Sequence, residues 1–253
     1  MLEAVRVEKS YVVRTQGRMK AFHAVRPTSF RIEEGASYAL VGESGSGKTT
    51  LSQILMGLLP PTAGDILLDG ASIAGKSARR DRNVAAQLQM VLQDGKSALD
   101  PRFTVYDSIA EPIRNLLKLP REKERELVVS LMQRMELSVK HLHSRAGELS
   151  GGQQKRVCIA RAIAVSPRLI IFDEAVSGLD VIVRKHILDL LKALRRETPC
   201  AYLFVTHDMD VAMYMAETIH VMKEGEIVES VTCKGNQTLF AHPYSRLLVS
   251  SMA

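Results

Sequence analysis

Hydrophobic and polar residues alternate along the first part of the chain, as they do in strands that bury one face. Ala4–Val7 and Thr28–Ile32 follow this pattern. Tyr38–Val41 is apolar and predicts a short strand that leads directly into a glycine-rich loop. Beyond the loop, leucine and isoleucine recur at helical spacing at residues 51, 54, 55 and 58. Pro60-Pro61 is predicted to end that helix.

The pattern changes in the middle of the chain and returns afterwards. Residues 98–150 carry few strand signals, and Glu122–Glu136 is charged and amphipathic, so this stretch is predicted to be a helical insertion. Leu169–Phe172 is apolar throughout, which is typical of a parallel strand covered on both faces. An amphipathic helix is predicted over 181–196 and a buried strand over 201–205. The alternation of strands and helices indicates an α/β protein.

Composition excludes several classes. The chain has 253 residues, of which 46% are hydrophobic and 25% charged, so it can bury a core without the help of disulfides or structural metals. Its three cysteines are scattered without metal-binding spacing, which argues against a disulfide framework or structural zinc. Cys158 lies among apolar residues and is predicted to be a core residue. His141 and His143 have no ligand partners at metal spacing and are interpreted as surface residues.

Charge and targeting signals narrow the choice further. The net charge is +6, which suits a mildly basic surface better than a nucleic-acid site, because no basic stripe interleaves with aromatic residues. The N-terminus shows no signal-peptide pattern. No run approaches the roughly 18 apolar residues that span a bilayer. We therefore expect a protein that is soluble or held at a membrane by a partner.

The glycine-rich loop matches the pattern G-x-x-x-x-G-K-[ST]. Its residues are Gly42, Glu43, Ser44, Gly45, Ser46, Gly47, Lys48 and Thr49, and Thr50 follows. Glycines let successive backbone N–H groups turn inward around phosphate oxygens, and the following helix points its positive end at them. Lys48 is expected to reach the β- and γ-phosphates, and Thr49 to ligate Mg²⁺.

Two further motifs complete the chemistry. Asp173 and Glu174 follow the apolar strand; we assign Asp173 to Mg²⁺ and Glu174 to the general base that polarises the attacking water. The third motif is Leu149-Ser150-Gly151-Gly152-Gln153, which leads into a helix that Ser150 can cap. Its two glycines expose backbone suited to a second anion site. An ordinary capped helix start is the alternative interpretation.

Together these motifs resemble those of the ATP-binding cassette (ABC) family. The first two occur in many nucleotide-hydrolysing proteins, whereas Leu-Ser-Gly-Gly-Gln just before an acidic strand is specific to this family. The resemblance covers residues 3–230. It implies a P-loop NTPase (RecA-like) α/β core with an N-terminal antiparallel β subdomain and an inserted α-helical subdomain. We expect residues 1–97 and 155–232 to form the core with the β subdomain, 98–154 the helical signature subdomain, and 233–253 a C-terminal tail.

The resemblance also implies roles for single residues. Gln93 is similar to the Q-loop glutamine, which meets Mg²⁺ and couples to the transmembrane partner, and Asp180 closes a stretch similar to the D-loop. His207 is similar to the switch histidine that contacts the γ-phosphate, although a lone histidine after a buried strand is often structural. Tyr11 is placed like the aromatic residue that stacks on adenine, with Phe22 and His23 nearby.

Partners follow from the same resemblance. Two cassettes of this family dimerise head to tail, and each ATP lies between one phosphate loop and the other chain's signature; Ser150, Gly151, Gly152 and Gln153 are expected to contact it. The second cassette is either a copy of this chain or a paralogue. Separate transmembrane permease subunits and, indirectly, an extracytoplasmic substrate-binding protein are implied, but no nucleic acid. The expected location is peripheral, at the cytoplasmic face of the inner (plasma) membrane.

Three stretches resemble the peptide and nickel import subfamily: residues 93–102, 173–177 and 242–248. Asp100 stands where the subfamily usually carries Asn. The cysteine-bearing extension of some peptide cassettes is expected to be absent. We therefore expect an ATP-hydrolysing subunit that powers an importer of nickel, a metal chelate or peptides. A soluble ABC ATPase of DNA repair or translation, and the motor of an exporter, remain the alternatives.

Overall fold

The structure is a computed structural model that describes residues 1–15, 18–75, 81–92, 98–233 and 239–250. The chain divides into two compact units. The first comprises Met1–Asp81 and Ala201–Ala253, and the second comprises Arg82–Cys200. The boundaries of these two units differ from those of the three segments predicted from the sequence, and the predicted segments stay a prediction.

The first unit begins with β1 (Leu2–Thr15), β2 (Arg18–Ile32), β3 (Ser37–Val41), α1 (Lys48–Leu55), β4 (Ala63–Leu68) and β5 (Ala71–Ser72). The second unit contains α2 (Arg82–Gln87), β6 (Leu88–Val91), α3 (Val105–Pro112), a π-helical turn (Ile113–Leu117), α4 (Arg121–Arg134), 3₁₀ turns (Val139–His141 and Ala146–Glu148), α5 (Gly151–Ile163), β7 (Leu169–Asp173) and α6 (Val181–Glu197). The first unit resumes with β8 (Ala201–Thr206), α7 (Met209–Met215), β9 (Thr218–Lys223), β10 (Glu226–Thr232) and α8 (Pro243–Ser250).

The first unit contains two groups of strands. Antiparallel pairing gives the order β2-β1-β4-β5, which is the antiparallel β subdomain expected from the family resemblance. The other group has the order β10-β9-β3-β8, in which β3 pairs in parallel with both β8 and β9. Every residue of β3 and β8 is buried, as expected for parallel strands covered on both faces.

Helix α1 confirms the predicted helix but not its predicted end. Leu51, Ile54 and Leu55 form its buried face, as their spacing indicates. The helix ends at Leu55, well before Pro60-Pro61, so the prediction that the prolines end it was wrong. Gly57 takes a left-handed φ of 65° and its N–H bonds to the carbonyl of Ile54, a turn that closes helices.

The second unit combines a parallel strand pair with helices. Strands β6 and β7 pair in parallel, and all of β7 is buried, as its apolar run predicted. Helix α6 buries one face at Ile187, Leu188, Leu191 and Leu194, which confirms its predicted amphipathic character. Cys158, in α5, is 1% exposed and is a core residue, as predicted. No helix in the described part of the chain is long and apolar enough to cross a membrane.

Candidate functional site

The glycine-rich loop leaves the end of β3 and passes close to the backbone of two other strands. A Cβ atom on Gly42 would lie 2.1 Å from the carbonyl oxygen of Met222, and one on Gly47 would lie 2.2 Å from that of Ala24. Gly47 also has a φ of 104°, which L side chains rarely adopt. Glycine is therefore required at these two positions by close packing, and at Gly47 by backbone conformation as well.

Lys48 folds back over the loop that precedes it. Its ammonium group donates hydrogen bonds to the carbonyl oxygens of Gly42 (2.7 Å) and Glu43 (2.8 Å), with Ser46 Oγ at 3.4 Å. Lys48 is buried, with only 6% of the residue exposed to solvent. These carbonyls hold a buried positive charge inside the loop, where an anion bound by the loop would meet it.

The first turn of α1 also favours the binding of an anion. Gly47 occupies the N-cap position, so no side chain caps the N–H groups that begin the helix. The helix dipole adds partial positive charge at this end. Backbone N–H groups, the helix terminus and the Lys48 ammonium together make a cradle suited to phosphate oxygens. Ser44 and Gly45 are exposed, and Thr49 and Thr50 lie in the first turn of α1.

His207 lies beside this loop through strand pairing. Val41 and Thr206 are register partners in the parallel strands β3 and β8. The residues that follow them, Gly42 and His207, therefore leave the same edge of the sheet. His207 is exposed, and the Asp208 side chain next to it caps α7 by accepting a hydrogen bond from the N–H of Val211 at 3.2 Å. The strand end and the helix start thus fix the backbone on both sides of His207.

Tyr11 lies on the β1–β2 hairpin. It pairs directly with Phe22, and the two rings are 39% and 51% exposed. The Lys9 ammonium lies 5.3 Å from the centre of the Tyr11 ring. His23 instead bonds through Nδ1 to Ser10 and Glu8. Tyr11 and Phe22 are therefore the two aromatic surfaces offered for stacking, and the assignment of the adenine contact to Tyr11 stays a prediction.

The second unit places Asp173 and Glu174 at the end of β7. Asp173 is 5% exposed. Glu174 has a φ of 50°, a left-handed conformation that is uncommon for a residue with a side chain and is often found at active sites. Its carbonyl oxygen accepts hydrogen bonds from the N–H and the hydroxyl of Ser177, and its Oε2 atom is buried. The strand end and this turn therefore fix the backbone from which the Glu174 side chain leaves.

The Leu-Ser-Gly-Gly-Gln segment begins helix α5 in the same unit. The Ser150 hydroxyl accepts the N–H of Gln153, and the Gln153 side chain accepts the N–H of Ser150 at 2.9 Å, a reciprocal capping box. The prediction that Ser150 caps this helix is confirmed. A Cβ atom on Gly152 would lie 2.8 Å from a methyl group of Val183, whereas Gly151 has open space. The capping box therefore fixes the start of this helix, and no side chain among the described residues covers the backbone at Gly151.

Asp180 also begins a helix. Its side chain accepts the N–H of Val183 at 2.9 Å and caps α6. The next two residues, Val181 and Ile182, are 69% and 82% exposed. Two adjacent exposed aliphatic side chains therefore lie at the start of this helix.

The predicted site residues thus fall into two sets. Loop 42–50, Tyr11 and His207 lie in the first unit, and the signature, Asp173, Glu174 and Asp180 lie in the second. Gln93 lies outside the described residues. The roles assigned to these residues stay predictions. Thr49 and Asp173 offer hydroxyl and carboxylate oxygens, the hard ligands that suit Mg²⁺.

The structure adds one residue that the site prediction missed. The backbone N–H of Glu43, the second residue of the loop, donates a hydrogen bond to the phenol oxygen of Tyr244 at 3.1 Å. The sequence motif around Tyr244 suggested only a subfamily. No periodicity or spacing indicates a contact with the loop, because 201 residues separate the two partners.

A phosphate cradle between a buried parallel strand and a helix defines a P-loop nucleotide-binding protein. The family model described as "ABC transporter" matches residues 25–177. The chain therefore belongs to the ABC transporter family, and it is an ATP-binding cassette of the ATPase class in that family.

Individual relatives agree with this assignment. The chain is 41% identical to a probable peptide ABC transporter ATP-binding protein of Sinorhizobium fredii, over 90% of this chain and 65% of the relative. It is 40% identical to a nickel import ATP-binding protein of Rhodospirillum rubrum, over 98% of this chain and 90% of the relative. Among solved structures, a dimeric post-hydrolysis state of an ATP-binding cassette bound to ADP and Pi matches with a TM-score of 0.80. That match has 28% identity and covers 93% of this chain and all of the other.

Proposed function

We propose that this chain binds and hydrolyses ATP to power an importer of peptides, nickel or a metal chelate. The observation that carries the proposal is the loop itself, in which a buried Lys48 ammonium is held over a backbone cradle at a helix start. The relatives named above support the direction and the cargo, because one is a nickel import protein and the other is a probable peptide transporter protein. The choice between these cargoes stays open.

In this proposal the loop and its lysine bind the triphosphate. The N–H groups of the loop 42–49, apart from that of Glu43, which Tyr244 accepts, and the Lys48 ammonium contact the phosphate oxygens, and Tyr11 stacks on adenine. Thr49, Asp173 and Gln93 are the residues that would ligate Mg²⁺, and the ion would supply positive charge to the β- and γ-phosphate oxygens. His207 donates a hydrogen bond to the γ-phosphate.

Glu174 serves as the general base. Its carboxylate takes a proton from the water that attacks the γ-phosphate, so that the water is more nucleophilic when the bond to phosphorus forms. The left-handed backbone of Glu174 and the two hydrogen bonds that its carbonyl oxygen accepts from Ser177 support this role, because they fix the backbone that carries the carboxylate. Pre-positioning of this kind lowers the entropic cost of the step.

A second cassette completes the site. Ser150, Gly151, Gly152 and Gln153 of that partner cover the phosphates from the other side, and Asp180 lies in the contact between the chains. The exposed aliphatic pair Val181 and Ile182 supports such a contact. The matching solved structure is itself a dimer of cassettes. ATP then closes the pair, and loss of the γ-phosphate releases it.

The remaining partners are the membrane subunits. The chain works with transmembrane permease subunits at the cytoplasmic face of the inner membrane, and an extracytoplasmic binding protein delivers the cargo to them. The family to which the chain belongs supports this arrangement. An exporter motor would have permease partners but no cargo delivered from outside. A soluble ATPase of repair or translation would have neither.

The test is cargo-stimulated ATP hydrolysis. The chain is co-expressed with candidate permease and binding proteins from the same organism, and the purified complex is placed in vesicles with Ni²⁺, a nickel chelate, a dipeptide or an oligopeptide. We expect one of these to raise ATP hydrolysis only when its binding protein is present, and Glu174→Gln in the same complex to remove the stimulation. Failure to purify with any membrane protein, or stimulation without external cargo, would contradict the importer.

A further inference from the structure

The C-terminal segment formed by residues 239–250 is fixed to the surface of the first unit. The Glu229 carboxylate, on β10, accepts hydrogen bonds from the N–H groups of Ala241 (2.7 Å) and His242 (3.2 Å). Two backbone donors to one carboxylate oxygen are charge-assisted contacts, which are stronger than neutral ones. The start of the segment is therefore bound to β10 before the helix α8 begins.

The segment also closes on itself. The Arg246 side chain donates from Nε to the carbonyl oxygen of Phe240 at 2.9 Å, and His242 Nδ1 accepts the N–H of Tyr244 at 3.2 Å. Phe240 is 9% exposed and Ser245 is fully buried. These contacts set the direction in which Tyr244 leaves helix α8.

Tyr244 is the residue by which the segment reaches the phosphate loop. It is 6% exposed, its phenol oxygen accepts the N–H of Glu43 at 3.1 Å, and the Lys223 ammonium lies 4.9 Å from the ring centre. Lys223, on β9, thus holds the ring by a cation–π contact while the oxygen holds the loop.

Glu43 is consequently held from both sides of its peptide backbone. Its N–H is bound to Tyr244, and its carbonyl oxygen accepts the Lys48 ammonium at 2.8 Å. When a phosphate takes a hydrogen bond from Lys48, the Glu43 carbonyl keeps the N–H of Ser46 at 3.2 Å, and Tyr244 holds the N–H side of the same peptide. Burial raises the pKa of the Tyr244 phenol, and it outweighs the opposing effect of the hydrogen bond from the Glu43 N–H, so the phenol stays protonated at neutral pH.

We infer that Tyr244 is a positioning residue for the ATP-binding loop, and that residues 239–250 brace this loop from the C-terminal side. The inference rests on the proposed nucleotide-binding role of residues 42–49. Tyr244 acts through the Glu43 peptide and does not touch the nucleotide. Loss of its hydroxyl should therefore weaken nucleotide binding while the fold and the Lys48 side chain remain.

The test compares Tyr244→Phe with Tyr38→Phe in the purified full chain. Tyr38 is a matched control, because its phenol oxygen also accepts one backbone N–H, that of Glu33 at 3.2 Å, and the residue is 8% exposed in the same unit. The readouts are the Kd for ADP by calorimetric titration and the hydrogen exchange rate of the Glu43 amide by NMR. One hydrogen bond predicts a rise in Kd of about threefold to tenfold for Tyr244→Phe, with faster Glu43 exchange. Tyr38→Phe should change neither readout.

Lys48→Ala in the same titration distinguishes a failure of the Tyr244 brace from a failure of the proposed nucleotide site. If Lys48→Ala loses binding while Tyr244→Phe keeps the wild-type Kd and Glu43 exchange rate, the brace is wrong and the nucleotide site stands. If wild type fails to bind ADP or ATP, or Lys48→Ala binds as wild type does, the proposed function itself fails. Should Tyr244→Phe not fold, Glu229→Ala decides, since it removes the acceptor of the Ala241 and His242 N–H groups. An unchanged Kd overturns the inference, and a raised Kd with faster Glu43 exchange supports it.

Discussion

Val41 and Thr206 stand opposite each other at the ends of two parallel strands. Because parallel strands present their carboxyl ends at one edge of a sheet, this pairing brings the start of the phosphate loop and His207 to the same edge. The two residues are far apart in the sequence, and only the pairing of β3 with β8 joins them. The proposed γ-phosphate contact of His207 depends on this register.

Lys48→Ala should abolish most nucleotide affinity. The variant removes a buried ammonium group that the loop carbonyls hold in place. Charge-assisted hydrogen bonds contribute about 1.5–3 kcal/mol each, so the Kd for ATP should rise by a factor of about 10 to 100 or more. Equilibrium binding of a fluorescent ATP analogue measures this. Lys123→Ala, on the exposed face of α4, is the control and should bind as wild type does; equal affinity of the two variants would reject the phosphate-loop assignment.

Gly47→Ala should destabilise the fold more than Gly70→Ala. Both glycines have left-handed φ values, 104° and 82°, but only at Gly47 would the new Cβ atom strike a carbonyl oxygen, that of Ala24 at 2.2 Å. The left-handed conformation alone costs about 1–2 kcal/mol for a residue with a side chain, and the collision adds to it. The free energy of unfolding from urea titration checks the ranking. A loss at Gly70 equal to that at Gly47 would show that the loop does not pack against Ala24.

His220 should make the stability of the protein fall in acid. The ring lies against Tyr38 and Phe30, its Nδ1 atom bonds to the Ser230 hydroxyl, and burial lowers its pKa from 6.5 to about 4. Between these values the unfolded chain binds a proton that the folded chain does not, so the free energy of unfolding falls as pH drops from 6.5 to about 4. The full contribution is roughly 3 kcal/mol.

The measurement is urea unfolding of wild type and His220→Phe at several pH values between 4 and 7. The variant should lose stability less steeply below pH 6.5, since it lacks the group whose folded pKa is depressed. His143→Phe replaces an exposed histidine and should keep the wild-type pH dependence. Parallel curves for wild type and His220→Phe would contradict the buried neutral state of His220.

The elements that could be predicted from the sequence are those with a local signal. Strand β3, the loop and α1 follow one another as an apolar run, glycines and a helical repeat, and β7 is an unbroken apolar run that ends in two acids. Ser150 was predicted to cap α5 because a serine before two glycines and a helical pattern is a local arrangement. In each case neighbouring residues suffice to determine the element.

The features that could not be predicted depend on tertiary contacts or on a single backbone angle. The contact of Tyr244 with Glu43 joins the two ends of the chain, and nothing near either residue encodes it. The left-handed φ of Glu174 has no glycine to signal it. The end of α1 was misplaced because the prolines at 60 and 61 are a stronger sequence signal than Gly57, which ends the helix first.

Glu174 is proposed as the base with which this chain hydrolyses ATP. The direct measurement is a single-turnover assay of the complex with [γ-³²P]ATP, comparing wild type, Glu174→Gln and the exposed control Glu122→Gln. We predict that Glu174→Gln binds ATP with wild-type affinity, accumulates as a closed dimer and releases phosphate at least about a hundredfold more slowly, since general bases contribute factors of that order. Glu122→Gln should match wild type. Phosphate release by Glu174→Gln at the wild-type rate would contradict the account.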